Sequence, residues 1–111
     1  MYNELTTKGA TELSDMIRTR EVSAVEVLDA YLARINEVNP QINAVTATME
    51  DEARTAAHSV DAQIALGHSV GPLAGVPFSV KENIDVAGSA TTWGVRALAG
   101  QVASTDAPAV A

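Results

Sequence analysis

Apolar side chains recur at helical spacing over the first part of the chain and lose that spacing after about residue 66. Ala10, Leu13, Met16 and Ile17 fall three or four positions apart, which puts them on one helix face. The pattern predicts a helix over about 10–19. Thr7 is its expected cap, and Arg18 and Arg20 lie near its C-terminus, where the dipole favours cations. Ser23 and Glu26 have the spacing of a capping box, each side chain serving the other's backbone N–H. The helix they open, about 24–38, carries the stripe Val25, Leu28, Leu32, Ile35 and Val38. Arg34 and Glu37 lie off that stripe, and Asn39-Pro40 is the expected stop.

Residues 42–48 are rich in β-branched side chains and fit a strand or an extended link. Glu50, Asp51 and Glu52 then crowd the start of a third helix, about 49–66, where the dipole favours anions. Its stripe is Ala53, Ala57, Val60 and Ile64, and Gly67 is its expected C-terminal cap. Residues 71–75 read as a loop. Residues 76–81 read as a strand, with Pro77 placing it at an edge or limiting Pro to its first residues. Phe78 on that strand is expected in the core, and residues 84–94 read as loop. Ser104-Thr105-Asp106 before Ala107-Pro108 is a helix-start signature. A helix that begins there and ends at Ala111 is too short to be stable alone. The expectation is an N-terminal piece of something longer.

Composition narrows the function. The 111 residues are 47% hydrophobic and 19% charged, which fits one small packed domain and not a disordered chain. Aromatics are only 4%, so aliphatic side chains and alanine must build the core. Fourteen acidic against seven basic residues give a formal charge of -7, which opposes nucleic-acid binding. The absence of cysteine excludes a disulfide framework, a thiolate nucleophile and a Cys-based zinc site. His58 and His68 have no carboxylate cluster around them, so a metal site built on the pair is not expected. No apolar run approaches the roughly 20 residues of a membrane helix, and no basic amphipathic face or signal peptide is visible. A soluble, cytoplasmic protein that does not bind membranes is expected.

The chemistry concentrates between Gly71 and Gly94, in the run GPLAGVPFSVKENIDVAGSATTWG. Lys81 is one of only two lysines and follows an apolar stretch, with Glu82, Asn83 and Asp85 close behind. The ordinary reading is a solvated charge paired with Glu82 or Asp85. The sharper one is a buried lysine, because desolvation disfavours an ammonium and leaves a neutral amine able to act as a base. Such a base could take a proton from a serine and make it a nucleophile. Glycines at 71, 75, 88 and 94 allow sharp turns or close approach to a ligand. Ser89, Thr91 and Thr92 add hydroxyls. Trp93 could contact substrate, but packing is the expected role.

The pattern resembles the amidase signature family of serine amide hydrolases. The residues that carry the resemblance are Gly71 to Pro77, then Val80-Lys81-Glu82-Asn83-Ile84, Gly88, Thr91-Thr92 and Gly94. Residues 23–44 are similar to the family's second helix and the Asn-Pro turn after it, and residues 106–110 to the start of its next helix. The resemblance implies an α/β fold, with N-terminal helices and the first strands of a mixed sheet surrounded by helices. Residues 1–111 would be an incomplete part of that single domain. It also implies a Ser-Ser-Lys triad, with the lysine at Lys81, a bridging serine on a cis peptide, and a second serine as nucleophile. A small-molecule amide would be hydrolysed through an acyl-enzyme, with no metal or organic cofactor.

No Gly-Ser-Ser-Gly run occurs in these residues, so both triad serines are expected downstream and the 111 residues alone are expected to be inactive. Glu82 stands where the family usually has Asp, and Val95 where a serine often follows the glycine. The resemblance leaves open a broad aliphatic or aryl amidase, an indoleacetamide-type hydrolase, and the amidotransferase subunit that frees ammonia from glutamine. A stand-alone amidase is preferred. A homodimer contact through the N-terminal helices also stays open. The competing reading is a non-catalytic helical module that binds a partner through its apolar stripes, or a truncated gene product.

Overall fold

The computed structural model describes residues 3–111. They divide into two compact units, one running to Pro77 and the other Phe78–Ala111. The first unit holds three helices: α1 (Ala10–Arg18), α2 (Ala24–Ile42) and α3 (Glu50–Ala65).

A 3-10 turn, Glu4–Thr7, precedes α1. It uses the Thr7 hydroxyl, which donates to the Glu4 carbonyl at 2.7 Å, so Gly9 and not Thr7 is the α1 cap. On α1, Leu13 and Ile17 are buried as the spacing implies, and Ser14 is buried with them. The Ser14 hydroxyl donates to the Pro72 carbonyl at 2.5 Å, which satisfies it inside the unit. The helix ends with Arg20 in the left-handed region at φ 60. Its N–H reaches the Ile17 carbonyl at 3.1 Å and that of Glu21 the Met16 carbonyl at 2.9 Å, the paired bonds of a Schellman motif. The Arg20 guanidinium also donates to the Ile64 carbonyl at 2.6 Å, near the negative end of α3.

The N-terminus of α2 is capped twice. The Glu26 N–H donates to Ser23 Oγ at 3.0 Å, and the Ser23 N–H donates to Glu26 Oε2 at 2.8 Å. From α3, the Asp61 carboxylate accepts from the N–H groups of Ala24 at 2.7 Å and Val25 at 3.2 Å. All four orphan donors of the helix start, the N–H groups of residues 23–26, are thereby satisfied. The buried face of α2 is Ala24, Val27, Leu28 and Ala30, with Val25, Tyr31 and Leu32 packed at its margins. That face is rotated from the expected stripe, because the helix is apolar on a broad front and α1 and α3 choose which part is covered. Pro40 does not stop α2; it lies inside the last turn. The Asn39 side chain donates to the Val45 carbonyl and accepts from the Val45 N–H, both at 2.9 Å. Asn43, at φ 50, then ends the helix.

On α3, Ala57 is buried and Ala53, Val60 and Ile64 pack against the same core. Gly67, at φ 77, closes this helix with a second Schellman pair, to Ile64 at 3.0 Å and from His68 to Gln63 at 2.9 Å. Across the α2–α3 face, Arg54 donates to Asp29 at 2.8 Å, and within α3 it donates to Glu50 at 3.1 Å. Gly75, at φ +84, approaches the core so closely that a Cβ there would meet Ala24 Cβ at 2.9 Å and Ile17 Cδ1 at 3.0 Å. The glycine is needed for this close backbone packing.

The second unit is built from turns. Ala90 and Val102 form an isolated antiparallel bridge, flanked by N–H bonds from Gly88 to Ala103 and from Thr91 to Gln101 at 2.9 and 3.0 Å. A short 3-10 turn covers Arg96–Leu98. Residues 76–81, expected as a strand, pair with no strand among the described residues. A strand's backbone groups need a neighbouring strand to bond with, and a sequence pattern cannot supply one. Of the expected α/β architecture, the helical part is present and no sheet is formed among the described residues. Phe78 is 72% exposed, not in a core. At the expected helix start, the Asp106 carboxylate accepts from the Ala87 N–H at 2.8 Å, and only a turn follows over 107–111. Among the described residues no helix is long and apolar enough to cross a membrane.

Candidate functional site

The Val80-Lys81-Glu82-Asn83 run leads into a turn closed by the Ile84 N–H on the Lys81 carbonyl at 3.0 Å. Lys81 itself is exposed, where the sharper reading of the sequence has it buried. Its amine makes no hydrogen bond or ion pair with another described residue. The other lysine is arranged quite differently. Lys8 lies 2.7 Å from Glu12 and 4.0 Å from Glu4. The bond to Glu12 stabilises its ammonium and raises its pKa.

The carboxylates next to Lys81 face a second segment of the same unit. Glu82 Oε1 accepts from both the Thr92 hydroxyl and the Thr92 N–H, each at 2.5 Å. The Thr92 hydroxyl first, then the N–H groups of Thr92, Trp93 and Gly94, hold the Glu82 carboxyl below the usual carboxylate range. Asp85 Oδ1 accepts from the Thr91 hydroxyl at 2.6 Å. Two consecutive threonines are therefore tied to two carboxylates that follow Lys81.

The segment after Thr92 is a tight turn. The Val95 N–H donates to the Thr92 carbonyl at 2.8 Å, with Trp93 at φ 55 and Gly94 at φ 72 between them. Positive φ at both central positions is the mark of a type I′ turn. Gly94 meets it freely, whereas Trp93 is an uncommon residue there. The Trp93 side chain is 66% exposed, so the expected packing role is not found. Asn83 Oδ1 is buried without a hydrogen-bond partner among the described residues.

Sequence reasoning located Lys81, Glu82, Asp85, Thr91 and Thr92 in one stretch but did not pair them. The Glu82–Thr92 contact spans ten positions, and no helical or strand period links such residues. A run of two threonines beside a turn glycine was the only local signal. His58 and His68 are both exposed. Among the described residues no group of three or more His, Cys, Asp or Glu could hold a metal.

Comparison with known proteins gives a family model, Amidase, that matches residues 26–111. A glutamyl-tRNA(Gln) amidotransferase subunit of Acidothermus cellulolyticus is 44% identical over 108 residues, covering 97% of this chain and 21% of that protein. Indoleacetamide hydrolase of Bradyrhizobium diazoefficiens is 43% identical over 102 residues, covering 92% of this chain and 20% of that protein. Among solved structures, a bacterial aryl acylamidase described as belonging to the amidase signature enzymes superposes with a TM-score of 0.81 at 33% identity. That match covers 86% of this chain and 20% of the other. The chain thus spans about a fifth of the length of the relatives it matches.

Proposed function

The chain belongs to the amidase family, and on that premise we propose that it is the N-terminal part of an enzyme hydrolysing a small carboxylic amide, with Lys81 as the base. The observation that carries this reading is the family match, which spans the whole Gly71–Gly94 segment and so includes Lys81. The burial that favours a neutral amine comes, in this reading, from the remainder of the enzyme, and no ion pair among the described residues opposes it.

In this reading the remainder of the enzyme supplies the two serines. The nucleophilic serine gives its proton through the bridging serine to Lys81 as its oxygen attacks the amide carbonyl. Backbone N–H groups stabilise the oxyanion of the tetrahedral intermediate. The proton then passes to the departing nitrogen, the C–N bond breaks, and water releases the acid from the acyl-enzyme. Residues 76–81 pair into the central sheet of the complete domain and present Lys81 at its end. A cytoplasmic setting and a small-molecule substrate go with this chemistry.

The test is Lys81→Ala in the complete enzyme, assayed on the anilide of a small carboxylic acid. The expected loss is about 10²–10⁴-fold in turnover, the usual worth of a general base, with an unchanged thermal melt. Turnover near the normal rate would remove Lys81 from the mechanism. The Acidothermus relative favours a second reading, release of ammonia from glutamine within an amidotransferase. Glutamine hydrolysis that exceeds anilide hydrolysis in the same preparation would select it.

A further inference from the structure

The ionisable side chains of residues 78–111 are Lys81, Glu82, Asp85, Arg96 and Asp106. Two of the three acids lie within four positions of Lys81, so the simplest expectation is an ion pair with one of them. The structure has none. Glu82 faces the Thr92 hydroxyl and N–H, Asp85 faces the Thr91 hydroxyl, and Asp106 faces the Ala87 N–H. Each acid makes a short bond to a neutral donor instead of to the amine. We propose that Thr91 and Thr92 are positioning residues that hold Asp85 and Glu82 away from Lys81 and so keep its amine free to accept a proton. This rests on the reading of Lys81 as the base.

The threonines and the lysine compete for the carboxylates. A carboxylate within about 4–6 Å of an ammonium stabilises the charged form. A base paired in that way deprotonates only at higher pH and is a weaker catalyst near neutrality. Lys8 shows the alternative within the same chain, with Glu12 at 2.7 Å and a raised pKa. Glu82 takes the opposite course because the 92–94 turn offers it several N–H groups and a hydroxyl at fixed positions. Charge-assisted bonds to such preorganised donors outcompete a flexible lysine head group, which loses side-chain entropy on pairing.

The experiment is the pH dependence of kcat/KM for the complete enzyme on the same anilide, comparing wild type with Thr92→Val, Thr92→Ser and Thr92→Val/Glu82→Gln. Thr92→Val removes the hydroxyl, the strongest of the bonds that hold Glu82, and leaves the carboxylate only backbone N–H donors, so it can turn toward Lys81 and the acidic limb moves to higher pH by up to about 1 unit. Thr92→Ser keeps the hydroxyl and leaves the limb in place. Adding Glu82→Gln to Thr92→Val removes that charge altogether and returns the limb to its wild-type position. A Thr92→Val limb at the wild-type pH overturns the proposal, as does a shift that survives Glu82→Gln. If Thr92→Val does not fold, Thr91→Val frees Asp85, predicts the same direction of shift, and is read in the same way. Lys81→Ala separates the two claims. If it stays active, the base assignment falls and the proposal with it. If it is inactive while the Thr92→Val limb is unmoved, only the threonine proposal falls.

Discussion

Leu13, Ile17, Val27 and Ala57 are buried in the helical unit, whereas no residue of 78–111 reaches that degree of burial. The acids of the two regions also do different work. Before Pro77, Glu26 and Asp61 cap a helix, while Glu12, Asp15, Asp29, Glu37 and Glu50 pair with Lys or Arg. After it, Glu82, Asp85 and Asp106 bind threonine hydroxyls and backbone N–H groups of other turns. The first region is held by apolar packing, with polar groups finishing its helix ends. The second is held by polar groups, and its large apolar side chains Phe78, Trp93 and Val102 are left at the surface. The acids of that region are used as structure, while its two basic side chains, Lys81 and Arg96, make no ion pair among the described residues.

The contrast is broken most severely by disturbing the packing of the first unit. Gly75→Ala places a Cβ against Ala24 and Ile17 and forces a non-glycine residue to φ +84. Left-handed backbone costs roughly 1–2 kcal/mol and overpacking roughly 1–3. The expected destabilisation is therefore about 2–5 kcal/mol, read from the helical circular dichroism during denaturant unfolding. A change under about 0.5 kcal/mol would mean that the close approach at Gly75 is not a packing constraint.

Asp61→Ala sharpens the comparison by removing a polar link from the same unit. It leaves the Ala24 and Val25 N–H groups without their acceptor but keeps the Ser23–Glu26 box. The Asp61 side chain is only partly buried, and water can replace some of what is lost. The expected cost is about 1–2 kcal/mol, at the modest end for a lost charged acceptor and comparable to a lost helix cap. The same melt measures it. A loss as large as that of Gly75→Ala would show that polar links govern the helical unit as they do the second.

Legibility in the sequence follows the same division. The Ser23–Glu26 box needs only residues three apart, so it could be read directly, and the α3 stripe could be read from its period. The end of α2 could not. Its continuation past Pro40 depends on Asn39 bonding to Val45 and on Asn43 adopting φ 50, neither of which has a periodic trace. Asp61 as a second cap for α2 was equally hidden, because the helices meet 36 and 37 positions apart in sequence. In the second unit the residues of the candidate site could be read from the sequence, through the Gly71–Gly94 resemblance, but not their pairing. The expectation that Phe78 and Trp93 are packed failed because apolar character states a preference for burial and not the surface that will provide it.

The smallest effect tests whether polar bonds do hold the second unit. The Glu82 carboxyl lies below its ordinary range, chiefly because the Thr92 hydroxyl and N–H favour the carboxylate. The sign follows from linkage. A depressed folded-state value means that the stabilisation is fully present above the ordinary glutamate range, near pH 4.3, and fades as pH falls through the lower folded-state value. Glu82 is solvent-accessible, so the consequence is local and best read at its partner. Hydrogen exchange of the Thr92 amide, corrected for the intrinsic effect of pH, should show protection that persists through pH 4.3 and declines only below it. Glu82→Gln should abolish that acid step while leaving residual protection from the turn. Protection that is lost at or above pH 4.3 in the wild type would mean that Thr92 does not hold Glu82 as a carboxylate. The turn beside Lys81 would then be maintained by backbone geometry alone, and the difference between the two regions would reduce to the presence or absence of an apolar core.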